Sequence, residues 1–84
     1  MIYTPEVAAA IRSIPIPVEM TVDIVDYGDY LGIRFYESEW SHISEPERLK
    51  MAIYFQALKK MLLRGGIQST LDPIYDSPGV QQLG

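Results

Sequence analysis

The chain contains no cysteine. That excludes a disulfide framework and any thiolate metal site, so cohesion must come from a buried core and, where the core falls short, from association. A single histidine, His42, removes the usual zinc ligand sets as well. No apolar run approaches the roughly 18 residues that a membrane-spanning helix requires. The opening Met1-Ile2-Tyr3-Thr4-Pro5-Glu6 lacks the basic flank of a secretion signal, and the expectation is therefore a cytoplasmic protein. There is no internal repeat and no low-complexity run. At 84 residues the chain suffices for one domain, near the size at which folding buries only about 60 to 65% of the unfolded surface.

What the chain does contain is organised around Val18 to Trp40. Val18, Met20, Val22 and Ile24 alternate with polar residues, as do Leu31, Ile33 and Phe35, and a period of two predicts two strands with one apolar face. Tyr27-Gly28-Asp29-Tyr30 joins them. With Gly28-Asp29 as a two-residue loop, Gly28 supplies the positive φ of a type II′ turn. Counting outward pairs Ile24 with Ile33 and Val22 with Phe35 on the apolar face, and Asp23 with Arg34 and Thr21 with Tyr36 on the other.

Helices flank this hairpin. Thr4-Pro5-Glu6 provides an N-cap, a proline at the first helical position and a first-turn acid, opening a short helix that must end near Ser13. Pro15 and Pro17 make Ile14-Pro15-Ile16-Pro17 a stiff extended connector. Ser44-Glu45-Pro46-Glu47 is a capping box that starts a helix of about 20 residues, ended by Gly65-Gly66. One stripe of this helix, Met51, Tyr54, Phe55, Leu58, Met61 and Leu62, should cover the hairpin's apolar face. A second, formed by Leu49, Ala52, Ile53 and Leu63, faces away. Either the N-terminal helix or the C-terminal segment hides it, or it is a homodimer contact. Ile67 to Leu71 is a possible third short strand: a two-stranded ribbon alone is marginal, so either this segment or a second subunit should extend the sheet. The expected organisation is one α+β domain over residues 1–71 followed by an irregular tail or arm over 72–84, in which Ile74 and Tyr75 are isolated apolar anchors.

Charge is segregated along the chain. Residues 1–47 hold nine carboxylates against Arg12 and Arg34, whereas residues 48–71 hold Arg48, Lys50, Lys59, Lys60 and Arg64 and no carboxylate. A basic helix lying near an acidic hairpin accounts for this; an acidic surface that docks on a basic partner is the functional alternative.

No constellation of catalytic groups emerges. Glu37, Glu39, His42 and Glu45 read as a solvated acidic loop in preference to a metal site, and Ser44 as a cap in preference to a nucleophile. Asp23, Asp26 and Asp29 lack the alternate spacing, central glycine and distal glutamate of a calcium loop. No glycine-rich phosphate loop precedes a helix. The helix cations are scattered around the wheel, and with a sequence pI near 4.7 nucleic-acid binding is disfavoured.

Tyr27, Tyr30, Tyr36 and Trp40 lie at or beyond the hairpin's solvent side, and such side chains anchor interfaces. The sequence thus predicts a small non-enzymatic protein-interaction module, a modulator, inhibitor or adaptor, which binds another protein through these four aromatics. It self-associates through Leu49, Ile53 and Leu63 as a homodimer or small oligomer and needs no cofactor, metal or membrane. A structural subunit of a larger assembly is the alternative reading, and a nucleic-acid-binding protein the third.

Overall fold

The computed structural model describes residues 1–75. Its elements run α1 (Pro5–Arg12), β1 (Val22–Asp26), β2 (Tyr30–Tyr36), α2 (Glu37–His42), α3 (Glu45–Arg64) and β3 (Gln68–Ile74). This is the expected α+β fold, with the long helix laid across the hairpin and the third strand present.

The hairpin has the register that its alternation dictates: Val22 opposes Phe35, Asp23 opposes Arg34 and Ile24 opposes Ile33. Gly28 has φ +97° and Asp29 stays at negative φ, the combination a type II′ loop requires. Tyr27 N–H donates to Tyr30 O at 3.0 Å. Asp26 reinforces the turn. Its Oδ1 accepts from Gly28 N–H at 2.8 Å, while its Oδ2 accepts from the N–H groups of Ile2 and Tyr3 at 2.8 and 3.0 Å.

β1 is displaced from its expected span. Val18 and Met20 are buried in the core, but pairing begins only at Val22 and extends to Asp26. Thr21 accordingly does not meet Tyr36; its N–H and hydroxyl donate to the Glu39 carboxylate at 3.1 and 3.3 Å. That carboxylate belongs to α2, a short helix replacing the expected loose extension of β2. Its C-terminal carbonyls are held from α3, where Arg48 donates from Nε to Trp40 O at 3.0 Å and from Nη2 to Ser41 O at 3.1 Å.

α3 opens with the anticipated capping box, Ser44 Oγ accepting from Glu47 N–H and Glu47 accepting from Ser44 N–H. It closes at Gly66, where φ is +79°, as a left-handed helix terminus demands. Met51, Tyr54, Phe55, Leu58 and Leu62 pack on Leu31, Ile33 and Phe35 of β2 to form the core. Met51, Leu58, Leu31 and Ile33 are fully buried. Val18, Met20 and Ile11 seal its margins, with α1 on the same side of the sheet.

β3 follows α3 and joins β2 in parallel, giving the order β1-β2-β3 with β2 central. Parallel neighbours need a long crossover, which α2 and α3 supply. β3 runs three residues past the expected Leu71, so Asp72, Pro73 and Ile74 belong to the sheet and not to a tail. Proline is tolerated there because β3 is an edge strand. The remainder of the expected tail, from Asp76, lies outside the described residues. The whole is a slab of 36 × 35 × 17 Å.

Candidate interaction surfaces

The slab has two broad faces, and the helices fill only one side of the sheet. Because side chains alternate, the residues that do not point at α3 form the opposite face: Asp23 and Val25 on β1, Tyr30, Gly32, Arg34 and Tyr36 on β2, and Thr70, Asp72 and Ile74 on β3. Among the described residues no helix covers them.

An ordered polar and aromatic group occupies the middle of this face. The parallel register sets Asp72 beside Arg34, and Asp72 Oδ2 lies 3.4 Å from Arg34 Nε. The same oxygen accepts a hydrogen bond from the Tyr27 hydroxyl at 2.6 Å. Arg34 Nε is enclosed and makes no shorter polar contact among the described residues. At 3.4 Å the pair is electrostatic more than hydrogen-bonded. Asp23, its cross-strand neighbour, forms no ion pair with it, although the register is the predicted one. β3 takes its place.

To reach Asp72 the Tyr27 ring crosses Gly32, where an added Cβ would stand 2.5 Å from Tyr27 Cε2. Glycine here is a requirement of close approach. Tyr30 stacks on Tyr27 at a centroid separation of 5.0 Å, since a two-residue loop sets its flanking residues opposite each other. Hydrogen bonding to Asp72, then desolvation, pushes the Tyr27 phenol above its ordinary value. It is a neutral donor at pH 7 and supplies neither base nor nucleophile.

The four aromatics named from the sequence do not form one cluster. Tyr27 and Tyr30 are 45% and 40% exposed and adjacent. Tyr36, half-buried, sits at the other end of the same face beside Ile74. Trp40 is directed elsewhere: it packs against Phe35 at 5.7 Å as a margin of the core. The sequence reading missed Gly32, Arg34 and Asp72 as the frame that fixes Tyr27. Continuing the alternation of Ser69 and Leu71 through Pro73 would have put Asp72 on the outward face, but its place beside Arg34 comes from the parallel register with β2.

The second broad face is the outside of α3. Leu49, Ile53 and Leu63 are 64%, 63% and 58% exposed, with Ala52, Gln56 and Lys60 exposed between them. Neither α1 nor any other described element hides this stripe. Ile14 and Pro15 of the connector flank it across a shallow groove next to Ile53 and Ala57.

The acidic loop is taken up by structural contacts. Glu39 holds Thr21, Glu45 pairs with Arg48 at 3.3 Å, and His42 Nδ1 is hydrogen-bonded to Ser38 O. Among the described residues no group of three or more histidines and carboxylates converges on a common point, and no helix is long and apolar enough to cross a membrane. Comparison of the chain with protein-family models, curated proteins and solved structures gives no match.

Proposed function

We propose that this protein is a non-enzymatic protein-interaction module, a cytoplasmic modulator or adaptor that self-associates through α3 and presents its open sheet face to another protein. One observation carries the reading: among the described residues the sheet is covered by helices on one side only, and its other side holds Tyr27 and Tyr30 stacked on each other and tied to Asp72, with Tyr36 at the far end of the same face. Rigid aromatic side chains on a flat surface bury large area at small entropic cost, which is what interface anchors do. The Tyr27-Asp72-Arg34 group orders that surface in advance, so less freedom is lost on binding.

The test replaces Tyr30 and Tyr36 with serine and compares capture of protein from an extract of the native host. Wild type should retain a discrete protein and the double variant should lose it, with the circular dichroism spectrum unchanged. Equal retention by both would remove the sheet face from the function.

A further inference from the structure

We infer that the exposed stripe of α3 receives a second copy of this chain, packed antiparallel about a two-fold axis that passes between Ile53 and Gln56. The inference rests on the self-association reading above and adds the geometry. Leu49, Ile53, Gln56, Lys60 and Leu63 succeed one another in steps of four and three residues, the spacing of a seam between two helices. All five are exposed.

Charge decides the direction. The stripe begins at Glu45, whose side chain is 82% exposed and, among the described residues, forms one surface ion pair, with Arg48. It ends at Lys60 and Arg64, which form no ion pair among the described residues. A parallel pair would set Lys60 against Lys60 and Arg64 against Arg64, and like charges in contact repel. An antiparallel pair brings Glu45 opposite the second copy's Arg64 and also opposes the two helix dipoles.

That single offset fixes the remaining contacts. Leu63 meets Pro46 of the second copy, Ile53 meets Gln56, and Leu49 lies under the methylene stem of Lys60, whose ammonium reaches water. The apolar positions are covered while every charged head stays solvated. α3 alone is about 30 Å long, and the 36 × 35 Å face on which it lies has room for the roughly 800 Å² per partner that stable complexes bury. The contact is self-complementary and therefore closes at two copies. Its product is a four-layer particle with both helix layers inside and both aromatic sheet faces outside, pointing in opposite directions. Such a dimer is bivalent toward the partner of the sheet face.

The lack of cysteine makes the test clean, since every introduced thiol is the only one. Gln56→Cys, near the axis, should cross-link to itself with a short bis-maleimide, whereas Leu63→Cys, far from it, should not. Glu45→Lys or Arg64→Glu alone should weaken dimerisation on the order of tenfold by sedimentation equilibrium, and the two together should restore it to within about threefold. Circular dichroism verifies folding of each variant. A dimer that cross-links through Leu63→Cys, or in which the double reversal fails to rescue, overturns the antiparallel geometry alone. Wild type that stays monomeric at every concentration, or that grows without limit, overturns the closed dimer, and the monomeric outcome removes the self-association reading with it.

Discussion

Gly32 is the residue at which one added carbon should have the most legible effect. Its Cβ would collide with the Tyr27 ring, and the ring is the movable party because the strand is fixed on both edges. Gly32→Ala is expected to lift the ring, break the bond to Asp72 and bring the Tyr27 phenol back toward its ordinary value. The alanine methyl points away from the core, so stability should fall by only about 1 kcal/mol. Ultraviolet titration of the phenols checks this. The sign is that of an acid held protonated: the raised value means that the bond stabilises the fold below the ordinary tyrosine pKa, near 10, and that this contribution disappears as pH climbs through the folded value. A Tyr27 titration unchanged by the substitution would show the ring is not seated as described.

Among the elements, those closed by neighbouring residues were readable in the sequence. Thr4 before α1, the Ser44 to Glu47 box, Gly28 in the turn and Gly66 after α3 each satisfy backbone groups a few residues away, and each is found where local chemistry placed it. α2 was not readable, because its stabilising group is Arg48, six residues beyond its last turn and inside another helix. The start of β1 was misplaced for a similar reason: Val18 and Met20 carry a strand's alternation but spend it on core contacts at a bend. Two substitutions separate local from distant support. Ser44→Ala should cost about 1 kcal/mol, the usual worth of a cap. Arg48→Ala should cost about 1 to 3 kcal/mol and shift the Trp40 emission as α2 loosens. Arg48→Lys should recover little, since an ammonium cannot span both carbonyls as the guanidinium fork does. Full recovery with lysine would reduce Arg48 to a point charge.

At the scale of the molecule, two hydrogen-bonded carboxylates should contribute to acid sensitivity. Asp26 is drawn below the ordinary range by the N–H of Tyr3, then by that of Gly28, and Glu47 by the N–H and hydroxyl of Ser44. Both are acids with depressed values in the folded state. Their stabilisation is present above the ordinary values, about 3.9 and 4.3, and is lost as pH falls through the lower folded ones. Urea midpoints should therefore be level between pH 7 and about 5 and decline below about 4. Asp26→Asn, which cannot titrate, should flatten that decline, and an equally steep fall in the variant would place the acid sensitivity elsewhere.

The same scale explains why the sheet face was only partly foreseen. The hairpin half, Tyr27 with Tyr30 and Arg34 opposite Asp23, follows from counting along two adjacent strands. The other half depends on how far α3 carries the chain before β3 begins, and Tyr27 and Asp72 stand 45 positions apart. No period in the sequence encodes that distance.

The central position of β2 also has a bearing on synthesis. One of its neighbours leaves the ribosome before it and the other only after a whole crossover has emerged. During that interval the nascent polypeptide displays an open backbone edge beside greasy side chains, the pairing that invites capture by a foreign strand. Fast winding of the crossover helix shortens that interval, and with it the time in which the open edge can be captured.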